Sequence, residues 1–270
     1  MPSTGTAGGL HYEIHDGPKG AETVVLSAGL GGSGAFFAPQ MEALTERFRV
    51  VLYDQRGTGR SARTLTQPHS VEAMADDIVM VMDAIGLPQA HVVGHAAGAL
   101  AGLALALRYP ERIGRLVLIN GWSRPDPGIA RCFATRISLL TDSGPAAYIR
   151  AQPLFLYPAN WISIHDAELN AEAAHQLAGF PTTEVMLARI AALLAFDIDA
   201  RLGEIEAPVL VSASADDLLV PLNCSRRLAE GLPNAKLDIT LWGGHGFTAI
   251  APEAFNRSLV RFLDDAPFGF

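Results

Sequence analysis

The sequence predicts an α/β protein: a mostly parallel central sheet, helices on both faces, and a helical cap inserted late in the chain. Short continuous apolar runs such as Thr23–Ala28, Val50–Tyr53 and Leu116–Asn120 read as strands buried on both faces, and helical periods separate them. Gln89 to Leu103 runs from an apolar strand through a tight glycine turn into an alanine- and leucine-rich helix. From Gly121 to about Arg201 the strand rhythm disappears, and it returns at Pro208. Strand and helix alternation of this kind implies crossover helices and a parallel sheet.

In order, Leu10–His15 alternates like an edge strand, and the buried run Thr23–Ala28 follows. Gly29-Leu-Gly-Gly-Ser-Gly34 comes next, read either as a flexible turn or as a concavity of backbone N–H groups that can hold an anion. Phe36–Phe48 is expected to be a helix. Val50–Tyr53 is the next strand, and its polar loop Asp54-Gln-Arg-Gly-Thr-Gly-Arg-Ser61 lies where open α/β sheets place ligands. Ser70 caps a helix whose apolar positions are Val71, Met74, Ile78, Val81 and Ile85, stopped by Gly86 and Pro88.

The turn Gly94-His-Ala-Ala-Gly98 has the Gly-x-Ser-x-Gly spacing that lifts a strained central residue above a sheet. Its central residue is Ala96. The backbone for presenting a nucleophile is kept while the attacking oxygen is missing. Gly94, Gly98 and Gly102, four apart, suit close packing of the helix on the sheet. After Leu116–Asn120 comes the cap, rich in aromatics and arginines and broken at prolines. Pro208–Ala213 resumes the sheet. A loop over 215–221, a helix over 222–231, a strand over Lys236–Leu241, the turn Trp242-Gly-Gly-His-Gly246 and a helix over Pro252–Leu263 complete it. The core is expected over 1–121 and 202–270 with the cap over 122–201. The N-terminus and the tail from Asp264 to Phe270 are expected to fray.

Composition narrows the function. With 270 residues, 49% hydrophobic, the chain can bury one sizeable core. A net charge of −8 argues against a sequence-independent grip on nucleic acid. Cys132 and Cys224 are too few for a disulfide framework and fit a reducing compartment. No signal-like N-terminus appears, and the longest apolar run is too short for a span, so a cytoplasmic location off the membrane is expected. Two glycosylation sequons, at Asn223 and Asn256, carry no weight without a secretory route. The partner is expected to be a small-molecule substrate, with a homodimer left open. His11 and His15 share a strand face and form no metal motif; no metal and no cofactor are expected.

Taken together, loop 29–34, the run 54–61, the elbow 94–98, the acid Asp217 four before Pro221 and Gly-Gly-His ending at His245 resemble the α/β-hydrolase superfamily across nearly the whole chain. Further segments, among them Asn120-Gly-Trp122, Arg131-Cys-Phe133 and Gln152–Ala159, resemble a narrower family, the Rut-pathway hydrolases of pyrimidine degradation, described as aminoacrylate or carbamate hydrolases. The resemblance implies a hydrolase of C–N bonds in uracil catabolism, with His245 as base and Asp217 as its acid partner; Asp216 is the neighbouring alternative. It also implies an oxyanion hole from the N–H groups of Leu30 and Ala97. His95, beside the elbow, reads as structural, and Cys224 as a poor substitute nucleophile.

An alanine forms no acyl-enzyme, so hydrolysis here has to use water activated by His245. In full triads, binding and the oxyanion hole alone retain roughly 10³- to 10⁴-fold over water, about 4 to 5.5 kcal/mol. That is too little for an amide but useful for a labile enamine or carbamate. Trp122, Arg131, Tyr157 and Trp161 are the candidate substrate-contacting residues, Arg131 because its fork suits a carboxylate. Two other readings stand beside this one: an ordinary serine esterase or amidase with an engineered change at 96, and a binding protein that has lost catalysis.

Overall fold

A computed structural model describes residues 2–264. Eight strands form one sheet: β1 (Ser3–Ala7), β2 (Leu10–His15), β3 (Thr23–Ser27), β4 (Arg49–Tyr53), β5 (Ala90–His95), β6 (Ile113–Ile119), β7 (Val209–Ser214) and β8 (Ala235–Thr240). Their spatial order is β1-β2-β4-β3-β5-β6-β7-β8. The pairs β1–β2 and β2–β4 are antiparallel and all others parallel. The helices are α1 (Ala38–Thr45), α2 (Val71–Ala84), α3 (Ala97–Arg108), α4 (Pro127–Leu156), α5 (Ala159–Ile164), α6 (Asp166–Ala178), α7 (Thr183–Ala195), α8 (Leu222–Gly231), α9 (Phe247–Ile250) and α10 (Pro252–Leu263).

The apolar runs have the two-sided burial expected of central strands. Val24, Leu26, Val93 and Val117 face one core with Phe37, Leu44, Phe255 and Leu259 of the α1 and α10 side. Val25, Val92, Leu116 and Leu118 face the other, with Ile78, Leu100 and Leu103 of α2 and α3 and with much of the cap. Period-two alternation therefore feeds two cores from each strand.

Two expectations fail at the N-terminus. Residues 3–7 do not fray; β1 pairs with β2 from Ser3↔Ile14 to Ala7↔Leu10. Consequently Leu10–His15 is not the edge, since β1 covers it. Gly8 and Gly9, both at positive φ (54° and 85°), make the reversal that small polar composition concealed. The expected frayed tail lies outside the described residues beyond Asp264.

The helix expected over 36–48 is also shorter. A 3-10 turn at Gly34–Phe37 leads into α1, which has a proline in its first turn and ends at Thr45. Phe48 then turns into the core, 2% exposed. Between β6 and β7 the inserted segment forms the helices α4 to α7, from Pro127 to Ala195. Within α4, Gly144 at φ 82°, followed by Pro145, breaks the helical path. Among the described residues no single helix is long and apolar enough to cross a membrane; the pair α6 and α7, bent by 105°, matches only in length and composition.

Candidate active site

The parallel strands β3, β5, β6 and β7 end on one edge, and every candidate site residue outside the cap belongs to a loop, a short turn or a helix start that follows a strand at that edge. At the end of β5, Ala96 adopts φ 47°, ψ −107°, a left-handed conformation that costs a non-glycine residue energy. Its N–H donates to the Ile119 carbonyl at 2.8 Å, which ties the turn to β6. Close approach explains the flanking glycines: a Cβ on Gly98 would lie 1.9 Å from the Ser27 carbonyl oxygen, and one on Gly94 would lie 2.2 Å from that of Gly98. Ala97 opens α3, so its N–H has no intrahelical acceptor.

The glycine-rich loop is held from outside. Asp54 accepts the Gly34 N–H at 3.0 Å and pairs with Arg60 at 2.8 Å, so these two polar residues of the 54–61 run brace the loop. Gln55 donates to the Ala28 carbonyl at 2.6 Å. From the cap, Arg189 donates to the Leu30 carbonyl at 3.0 Å, to Gln55 Oε1 at 2.6 Å and to the Arg56 carbonyl at 2.8 Å. Leu30 is thereby fixed at the cap–core seam.

Beyond β7, the Asp217 carboxylate accepts the N–H groups of Leu219 (2.8 Å) and Val220 (2.9 Å) on Oδ1 and His245 Nδ1 (2.8 Å) on Oδ2. Since an ionised carboxylate only accepts, Nδ1 carries the proton and Nε2 is left as the basic nitrogen. Both side chains are buried, 0% and 3% exposed. Asp216 does different work: it accepts Ser214 Oγ and the N–H groups of Gly243 and Gly244, bracing the turn that carries His245.

His95 and Asn120 bring that turn to the elbow. His95 Nε2 donates to the His245 carbonyl at 3.0 Å, and Asn120 Nδ2 donates to the same oxygen at 2.9 Å. The His95 ring stacks on Phe36 and lies 4.7 Å from the His245 ring. Burial, reinforced by His245, pushes His95 down to about 3, so it stays neutral and donates from Nε2. His95 makes structural contacts, as its sequence position suggested, and their task is to hold the His245 turn against the elbow.

The four cap candidates separate. Trp122 is buried at 1% exposure, with no acceptor for its Nε1–H. Tyr157 packs its ring on Gly246, where a Cβ would come within 2.4 Å of the ring, so this residue touches the histidine turn. Trp161 sits between Tyr157 (4.6 Å) and His165 (4.0 Å) in a stack within the cap. Arg131 is on the exposed face of α4, away from the buried stripe, and the expectation that it meets substrate is not supported. Arg136 and Arg189 are the buried cap arginines; the sequence shows Arg136 as one of the cap's arginines without giving it a role, and Arg189 was not singled out. A signal existed: they interrupt the apolar stripes Ile129, Phe133, Leu140 and Met186, Ile190, Leu193.

Cys224 is buried, and burial pushes its thiol up to about 12, the opposite of an activated nucleophile. A groove of about 500 Å³ runs between α4 and α6, lined by residues such as Ile149, Pro153, Leu169 and Leu177, and it contains none of the elbow or dyad residues. The buried cluster at the sheet's edge is therefore the better site.

A sheet of this order, a strained elbow between two glycines and a buried His–Asp pair define an α/β hydrolase. The family of the alpha/beta hydrolase fold matches residues 22–141. A Caulobacter sp. (strain K31) protein named "Putative carbamate hydrolase RutD" is 67% identical over 261 residues, 96% of this chain and 97% of that one. A protein of the same name from Caulobacter segnis is 65% identical over 98% of this chain and 100% of its own. Among solved structures, the enol-lactonase from Burkholderia xenovorans LB400 superposes with a TM-score of 0.86 at 28% identity, covering 97% of this chain and 100% of the lactonase. The chain belongs to the α/β-hydrolase family, grouped within it with these RutD relatives, and is a hydrolase.

Proposed function

We propose that the protein hydrolyses a small, intrinsically labile nitrogen compound of pyrimidine breakdown, using water activated by the His245–Asp217 pair. The observation that carries this reading is a complete, buried His–Asp pair beside an elbow whose central residue, Ala96, has no nucleophilic atom. With Nδ1–H committed to Asp217, Nε2 is free to take a proton from water. The N–H groups of Ala97 and Leu30 would stabilise negative charge on the substrate. Retention of the pair disfavours a purely binding role, which needs neither residue.

Two substrates fit. Carbamate, the substrate class in the relatives' name, takes up water to give bicarbonate and ammonia. Aminoacrylate reacts as its imine tautomer: water adds to the C–N carbon, the C–N bond breaks, and ammonia leaves malonic semialdehyde. Both compounds decay unaided, so the roughly 10²- to 10⁴-fold contribution of a general base is useful. Ammonia release by wild type and His245→Ala tests the reading. The expected result is a fall toward the spontaneous rate in the variant; an unchanged rate would remove the dyad mechanism.

A further inference from the structure

Arg136 on α4 and Arg189 on α7 are 4% and 2% exposed, and neither is ion-paired among the described residues. Arg136 donates from Nη2 to the Tyr148 hydroxyl at 2.5 Å and lies against the rings of Phe133, Tyr148 and Phe155. Arg189 meets only neutral oxygens, those of Leu30, Gln55 and Arg56. Asp77, whose field reaches Arg189, is held by Arg56 at 2.7 Å. Buried cations are ordinarily matched by an anion, and these two are not.

Their leftover hydrogen bonds share one sign. The Nε–H of Arg136 and the Nε–H of Arg189 are both buried without an acceptor. Two orphaned guanidinium donors suit a guest that only accepts, and a carboxylate is such a guest. The two arginines are also linked in space: the Tyr148 hydroxyl bound by Arg136 lies 3.8 Å from the sulfur of Met186, three residues before Arg189 on α7. Arg189 grips Leu30 of the oxyanion loop, and Cys132, one turn before Arg136, reaches the Leu218 carbonyl of the acid loop. Arg189 thus touches the glycine-rich loop directly, and the helical turn preceding Arg136 touches the acid loop. Burial lowers Arg189 to about 10, and burial, with Arg189 and Arg56 nearby, lowers His69 to about 4.

We propose that Arg136 and Arg189 form a subsite for the carboxylate of the substrate and give the enzyme its preference for an anionic over a neutral compound. The proposal rests on the dyad reading for the location of the reacting centre. Of the two substrates, aminoacrylate has a carboxylate free to occupy the subsite while its C–N carbon reacts.

The test is equilibrium binding of propionate and of its neutral isostere propionamide, by calorimetry, to the full chain. Wild type should bind propionate at least about tenfold more tightly. Arg136→Met and Arg189→Met should each weaken propionate by about tenfold or more while leaving propionamide within about twofold. Arg189→Lys, which keeps the charge and loses the planar fork, should weaken propionate by a smaller factor and serves if the methionine variant does not fold. Propionate bound no better than propionamide, or within twofold of wild type in both the Arg136 and the Arg189 variants, overturns the subsite and leaves water as the partner of these donors. His245→Ala separates the two readings: it should bind propionate as wild type does while losing ammonia release. Arginine-dependent propionate binding with unchanged ammonia release would keep the subsite and discard the dyad.

Discussion

Asp216 and Asp217 are consecutive in the chain, yet they hold different parts of one turn: Asp217 takes the His245 ring at 2.8 Å, and Asp216 takes the Gly244 N–H, also at 2.8 Å. One carboxylate orients the imidazole and the other fixes the backbone that delivers it. The four-residue interval to Pro221 selected Asp217 as the acid, and nothing in the spacing assigned the second role to Asp216.

The two aspartates should therefore fail differently. Asp217→Asn removes the acceptor that sets the His245 tautomer and should lower kcat for ammonia release by about 10²-fold or more. Asp216→Asn should cost stability, about 1 kcal/mol, with a smaller loss in kcat, since the turn is loosened while the imidazole keeps its partner. Steady-state kinetics with urea melts of both variants checks this. Equal kinetic losses would show that the division of labour is wrong.

Restoring a serine at the elbow should change the chemistry. Ala96 already adopts a positive-φ elbow conformation, so, on the proposed mechanism, Ala96→Ser should present a hydroxyl to His245 and to the N–H groups of Ala97 and Leu30. Weak hydrolysis of a chromogenic short-chain ester should appear, together with a burst of chromophore. A variant as inert toward the ester as wild type would mean that the His245 ring does not address position 96.

Gly98→Ala should be among the most damaging small changes, because its Cβ would meet the Ser27 backbone carbonyl at 1.9 Å, and backbone cannot rotate away. A loss of about 3 kcal/mol or more in urea denaturation is expected. Gly203→Ala, where nothing lies within 4 Å, is the control and should stay within about 0.5 kcal/mol.

Stability should fall with acid before the carboxylates titrate. His95 stays neutral in the folded protein to about pH 3 and His69 to about pH 4, while both protonate near the ordinary 6.5 when unfolded. Below 6.5 the unfolded chain thus binds more protons, and the stability present above 6.5 is lost as pH falls toward 4 for His69 and 3 for His95. Each histidine contributes a slope of up to about 1.4 kcal/mol per pH unit. In urea melts from pH 7 to 4, His95→Gln should show a shallower decline than wild type. Parallel curves would show that His95 is charged in the folded state.

Much of the architecture was legible in local pattern. Runs such as Val24-Val-Leu26 identified strands because period-two burial is written in adjacent residues, and Ser70 announced α2 because a cap bonds three residues away, here to Ala73 at 3.2 Å. The elbow was readable for the same reason: Gly94 and Gly98 answer to contacts within a few residues and one neighbouring strand. The missing oxygen at Ala96, which leaves no nucleophilic atom at the centre of the elbow, is a fact of composition alone. Relations across the chain were decided elsewhere. His95 and Asn120 lie 150 and 125 positions from the His245 carbonyl they share, and only the strand order β5-β6-β7-β8 sets them side by side. Helical periodicity can say that Arg136 and Arg189 fall on buried stripes and that Arg131 does not, because a 3.6-residue repeat fixes a face. It cannot say what that face meets. The oxygens of Leu30 and Gln55 come to Arg189 only when the cap closes on the sheet, since neutral acceptors carry no complementary charge for a sequence to display.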